Sequence, residues 1–226
     1  MADLFEQYQV WSAIWMTIKL TLAGAVGSLV LGTIIAILRM SPVPMLRFLG
    51  TAYVNIFRNT PLTLIILSTN LVLWAKLGVK LADDKSPDYF ATNNFRLAVL
   101  GLVIYHASYV CEALRSGVNT IPLGQAEAAR SIGLGFLPAA RHVILPQALR
   151  GAITPLGNTV IALTKNTTVA AAASVAEASG LMKRMIEFSP DVMVAIFLTF
   201  AIGFCLIVIP IGLLTTWASE KWAVAR

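Results

Sequence analysis

The chain has 226 residues, of which 58% are hydrophobic and 12% charged, with mean hydropathy +0.78 and a net charge of +6. That is too apolar for a water-soluble globular domain and fits an all-α polytopic membrane protein. The basic residues stand singly between apolar runs rather than on one face, so the positive charge does not describe a nucleic-acid surface.

A helix needs about 20 predominantly apolar residues to cross a bilayer core, and five stretches qualify in chain order. The first, 13–38, is uncharged apart from Lys19. It follows Asp3 and Glu6, with no basic leader segment and no cleavage site, so a permanent span is expected rather than a signal peptide. The second lies within 48–75 and is interrupted by Arg58. Residues 80–94, with Pro87 and paired asparagines, read as an exposed loop. The third span is 97–114, the fourth begins near Leu145 and runs past Lys165, and the fifth is 192–217, where Pro210 is expected to bend the helix. Cys111 and Cys205 sit in apolar runs and read as small buried hydrophobes. With His106 and His142 as the only histidines, no metal-ligand spacing occurs and no metal is expected. Glu112, at the end of the third span, is expected to pair with Arg115.

Five spans place the two ends on opposite sides, and Lys and Arg between spans set the orientation. Arg39 and Arg47 follow the first span; Arg115, Arg130, Arg141 and Arg150 flank the third and fourth; Lys221 and Arg226 end the chain. These alternate segments share one side, which should be cytoplasmic. The other side holds Asp3, Glu6, Asp83, Asp84 and Asp88, mixed with Lys80 and Lys85. The N-terminus is then outside and the C-terminus inside. Residues 1–226 read as a single transmembrane domain, with 117–141 as a cytoplasmic loop inside it.

That loop opens the most informative stretch of the chain, 127–146, EAARSIGLGFLPAARHVILP. Residues 125–132 are good helix formers. Gly133 and Gly135 follow, which suits a left-handed C-terminal cap, and Pro138 is expected to stop the helix there. A helix of about two turns is not stable alone in water, so a partner or the membrane-proximal body must hold it. Pro146 is expected to open the fourth span, where a first-turn proline is tolerated.

The pattern Glu127-Ala128-Ala129, Gly133, Val143, Leu145-Pro146 resembles the EAA signature of permease subunits of ABC importers, with Val143 where that family most often has Ile. The alternative is a generic interhelical loop. The resemblance implies the ABC importer permease fold. It also implies that the short helix is a coupling helix docked on a separate ATP-hydrolysing subunit, with Glu127, Ala128, Ala129, Gly133, Leu145 and Pro146 in the coupling loop. Arg58-Asn59-Thr60-Pro61-Leu62 looks like the Arg-x-Thr-Pro-Leu motif of polar amino acid permeases, and Leu163-Thr164-Lys165-Asn166-Thr167-Thr168 like their stretch after the EAA loop. Asn93-Asn94-Phe95-Arg96-Leu97 and Gly124-Gln125-Ala126-Glu127 add a similarity to actinobacterial-type glutamate importers.

The resemblance implies a bacterial plasma-membrane assembly. Its partners would be a second permease chain, most simply as a heterodimer, two ATP-binding subunits and an extracytoplasmic substrate-binding protein. The cargo would be glutamate, with glutamine or another polar amino acid as the alternative. No GxxxxGK[ST] loop occurs, so ATP would be hydrolysed by the partners, with no catalytic residue and no cofactor on this chain. The rival classes are an ATP-independent secondary transporter or channel, and a non-transporting membrane interaction subunit.

Charges at membrane depth face cavities, partners or pathways. Arg58, with Thr60 and Pro61 behind it, is expected either to meet a substrate carboxylate or to snorkel to the interface. Between Arg150 and Lys165 lie 14 uncharged residues, about 21 Å of a core roughly 30 Å thick. Asn158, Ala162 and Asn166 share one helical face, with Thr159 beside them. That small, polar stripe suits a translocation path, with Asn158, Thr159 and Asn166 as substrate contacts, or else interhelical packing.

Overall fold

The structure, a computed structural model, describes residues 6–222. Asp3 and Arg226, used above to orient the chain, lie outside them. The described residues fold into helices joined by short connections and contain no strand. Three helices are long and apolar enough to cross a membrane: α1 (Val10–Met40), α4 (Tyr89–Val118), and α10 (Met193–Trp222) with its leading 3-10 turn Pro190–Val192. Helix α10 runs on with Pro210 inside it. It leaves Val194, Phe197, Leu198, Ile202, Leu206, Leu213 and Leu214 exposed. An apolar helix uncovered along its length is what a lipid-facing span looks like without its lipid.

The second predicted span is not one rod. Helix α2 (Pro44–Asn59) and helix α3 (Leu62–Ser68), which continues as the π-helical Thr69–Lys76, meet at a bend of 104°. Pro61 stands at the bend as the flanking residue before α3, with the extended ψ of 132° usual for that position and the φ of −56° that its ring imposes. The fourth predicted span is also divided. Helix α7 (Leu145–Gly151) breaks at Ala152 (φ −101°, ψ 2°) before helix α8 (Ile153–Asn166), which passes into the 3-10 segment Thr167–Ala173. Helix α9 (Ala178–Phe188) precedes α10.

The chain forms two compact units. The first comprises Met1–Val26, Thr60–Val103 and Ile161–Pro210. Its core joins Val10 and Ala13 of α1, Ala178, Leu181 and Met185 of α9, and Ile196 and Phe200 of α10. The backbone N–H of Ala178 donates to Thr17 Oγ1 at 3.1 Å, tying α9 to α1. The predicted loop 80–94 is shorter than expected, because α4 begins at Tyr89. Asn93, assigned to that loop by composition, is fully buried inside the helix and accepts from the backbone N–H of Leu81 at 2.8 Å. Its amide ties the loop to the helix. Cys205, expected to be buried, is exposed on α10, because that helix offers little buried surface anywhere.

The second unit comprises Gly27–Asn59, Ile104–Val160 and Ile211–Arg226. Ile35, Ala36, Val54, Ala107, Val110, Cys111, Leu114 and Ala152 form its core. Small residues set the spacing. A Cβ on Gly117 would stand 2.1 Å from the carbonyl oxygen of Ala148, and one on Gly157 2.0 Å from Thr215 Cγ2. Such close backbone approach is how helices associate where no hydrophobic force acts between them. Glu112 does not pair with Arg115. It accepts from Arg39 of α1 at 2.5 Å, and the same guanidinium nitrogen lies 3.7 Å from Cys111 Sγ. A partner on another helix satisfies both charges where a neighbour in sequence would leave Arg39 alone in a packed interface.

Candidate functional site

The EAA stretch lies in unit two and builds a short helical hairpin. Helix α5 (Leu123–Ser131) begins after Pro122, two residues earlier than predicted. Its exit follows the expected geometry closely. Gly133 has φ +85°, its N–H donates to the carbonyl of Arg130 at 2.9 Å, and the N–H of Leu134 donates to the carbonyl of Ala129 at 3.0 Å. These two bonds are the paired 5→2 and 6→1 contacts of a Schellman cap. They close the last carbonyls of a helix too short to hold itself. Ser131 Oγ also donates to the carbonyl of Glu127 at 3.0 Å.

Pro138 does not stop the helix. It lies in the first turn of a new helix, α6 (Phe136–Ala139), where a backbone N–H has no partner to lose. Pro146 does stand in the first turn of α7, as expected, but the chain is already helical before it. Helix α6 runs through the π-helical Ala140–Ile144 into α7, and Pro146 follows directly. There Leu145 N–H bonds the carbonyl of Ala140, five residues back. The wider turn shifts the hydrogen-bond register just ahead of the residue that cannot donate.

The hairpin presents two kinds of surface. Ala129, Ala139, Ala140 and Ala148 are buried, and Leu145 is half-buried. Glu127 and Ala128 are exposed, as are Ile132 (78%), Leu137 (62%) and Phe136 (37%). Sequence reasoning passed over these three apolar residues. The available signal was their position at the turn, where a burial pattern has no reason to put an isoleucine or a leucine. Glu127 on α5 and the apolar residues of the turn and helix that follow are thus left uncovered in this chain.

The predicted substrate residues fall in both units. In unit two, Arg58 is exposed in the last turn of α2, with its guanidinium carbon 5.8 Å from the ring centre of Tyr109. The Tyr109 hydroxyl is 2.9 Å from that of Tyr105. Asn158 is exposed on α8, and Thr159, half-buried, donates to the carbonyl of Pro155 at 2.9 Å. In unit one, Thr60 is half-buried at the 104° bend and Asn166 half-buried at the end of α8. Along α8, Thr154, Asn158, Ala162 and Lys165 are exposed while Leu163 and Thr164 are buried, so the polar, small-residue stripe is the face this helix leaves open.

Comparison with known proteins fits this geometry. The family described as "Binding-protein-dependent transport system inner membrane component" matches residues 28–221. A glutamate transport system permease protein, GluC, of Corynebacterium efficiens is 52% identical over 95% of this chain and 94% of its own length. The GluC of Corynebacterium glutamicum is 51% identical with the same coverage. An arginine transport system permease protein of Corynebacterium glutamicum is 35% identical over 75% of this chain and 55% of its own length. Among solved structures, an amino acid ABC transporter with histidines superposes with a TM-score of 0.78 at 23% identity, covering 97% of both chains, which shows the fold. With its family match, its all-helical permease fold and its apolar spans, this multi-pass membrane chain belongs to the inner membrane components of binding-protein-dependent transport systems.

Proposed function

We propose that this chain is the permease subunit of an ATP-driven importer whose cargo is glutamate. The observation that carries the reading is identity above one half, along nearly the whole chain, to permeases named for glutamate. The second reading, another polar amino acid carried by the same machinery, is favoured only by more distant relatives such as the arginine permease.

Five crossings are counted as α1, the bent pair α2–α3, α4, α8 with its flanking turns, and α10. The N-terminus is outside and the EAA hairpin, within 117–141 and on through Pro146, is cytoplasmic. A second permease chain completes the pathway, two ATPase subunits receive the hairpins, and a binding protein delivers cargo from outside. ATP is bound and hydrolysed by the partners. Closure of the ATPases moves α5, the pathway opens outward, cargo enters, and hydrolysis resets it. Exposed Glu127 and the apolar Ile132–Leu137 turn make the contact, and the cap at Gly133 keeps α5 formed while it is pushed. Arg58 offers a cation to a cargo carboxylate. Asn158, Thr159, Asn166 and Thr60 offer neutral polar groups along the path.

The test is uptake of labelled glutamate into liposomes holding the chain with its partner subunits, with and without internal ATP. Uptake should need ATP and should vanish in Gly133→Arg with Glu127→Lys. Uptake that ignores ATP or survives both changes would overturn the coupling role. Arg58→Ala should abolish glutamate transport while the ATPase subunits still bind, and unchanged transport rejects the carboxylate contact.

A further inference from the structure

Unit one contains an open cavity of about 690 Å³ bordered by the start of α3, the 3-10 segment Thr167–Ala173 and α9. Its polar lining is Thr63, Thr168, Ser174 and Ser179, together with the cations Lys183 and Arg184. Both cations are exposed, and neither belongs to the two ion pairs found among the described residues, Arg39–Glu112 and Lys80–Asp84. Glu187, three residues after Arg184 and four after Lys183, is exposed, is not among the lining residues and joins neither ion pair, while Glu177 is fully buried and otherwise committed. One oxygen accepts from the N–H of Ser179 at 2.8 Å and the other from Gly180 at 2.6 Å, which caps α9. The cavity therefore carries two positive charges and, among the described residues that line it, no carboxylate.

We propose that this cavity accepts an acidic amino acid on its way through the permease, and that Lys183 and Arg184 distinguish the acid from its amide. The proposal rests on the glutamate reading and adds residues that no motif assigned. The volume lies in the range that encloses a small organic ligand. A dicarboxylic amino acid brings two carboxylates for two cations, one of them an arginine able to bind in a fork, while hydroxyls at Thr63, Thr168 and Ser179 accept from its ammonium. Glutamine offers one carboxylate and no net charge, so one cation would lose its water without gaining a partner. The small remaining walls leave room for the ligand rather than a packed side chain.

The experiment is direct binding of labelled glutamate to the purified permease–ATPase complex without binding protein, with glutamine as competitor. Wild type should bind glutamate and resist displacement by glutamine. Lys183→Gln with Arg184→Gln should weaken glutamate binding roughly tenfold to hundredfold and erase the preference. Size-exclusion elution and melting temperature serve as the folding control. The charge-retaining pair Lys183→Arg and Arg184→Lys should restore binding to within about tenfold. Glutamate affinity unchanged in the neutral pair overturns the proposal. So does a loss confined to binding-protein affinity, which would make these cations a protein-docking patch. If wild type shows ATP-driven uptake of a different amino acid, the glutamate reading itself fails. If uptake is glutamate-selective but the neutral pair binds like wild type, only this cavity is at fault.

Discussion

Gly133→Ala isolates the cap of helix α5 from every other property of the hairpin. A Cβ at Gly133 meets nothing within 4 Å, so the substitution creates no clash. Its whole effect is conformational: φ is +85°, and an L-residue held there loses about 1–2 kcal/mol. Helix α5 has 9 residues and no side-chain N-cap, so it has little else to draw on. A loss of that size shifts the formed fraction about 5- to 30-fold. If the ATPase subunit selects the formed helix, its apparent affinity falls by the same factor. The assay is titration of the ATPase subunit onto the permease in nanodiscs, with ATP consumed per glutamate imported measured alongside. Gly133→Asn should fall between glycine and alanine, because asparagine tolerates the left-handed region. Gly124 supplies the comparison. It too has open space around its Cβ position, but its φ is ordinary, so Gly124→Ala should strengthen α5. Wild-type affinity in Gly133→Ala, or an equal loss in Gly124→Ala, would refute the argument.

Arg39→Met or Glu112→Met alone should lower stability by about 3–5 kcal/mol by stranding the other charge, and the double change should recover more than half; a double-mutant cycle by unfolding in detergent reads this, and strict additivity would reject the pairing. Gly117→Ala forces its methyl against a backbone oxygen that no rotamer change can move, so about 1–3 kcal/mol of stability should be lost, read as a lower melting temperature. Burial pushes the Glu177 carboxyl up to about 7 from an ordinary 4.5, outweighing its two backbone N–H bonds and the nearby Lys183. The folded chain then holds the extra proton between those values, so melting temperature should fall as pH rises from about 4.5 through 7, and Glu177→Gln should flatten that slope. A slope of opposite sign would mean that the amides dominate.

The ending of α5 was legible because its chemistry is local. A glycine after two turns of helix formers allows few endings, and the cap at Gly133 is the one expected. What escaped were features decided by distant residues. Glu112 has Arg115 in reach on its own helix, yet the pairing went to Arg39, 73 positions away. Asn93 looks like a loop residue by type, and only its bond to Leu81 explains its place inside α4. Pro138 and Pro146 were read as boundaries because proline removes a donor. The chain accommodates one in a first turn and the other after a π turn, and composition does not distinguish these from a break. The open, polar stripe of α8 was legible, because helical periodicity alone defines a face. What that face meets depends on other helices.

The π turn at Ala140–Ile144 has a mechanical consequence for the hairpin. It amounts to one residue too many for an α-helix, and one residue is about 100° of rotation. The faces of α6 and α7 are therefore out of phase by that angle: Phe136 and Leu137 turn outward while Ala148 stays buried. Deleting one apolar residue from this segment would keep the helix and its charge. It would also rotate exposed Phe136 and Leu137 about a quarter-turn relative to α7. The segment sets the angle between the faces that the two halves of the hairpin expose.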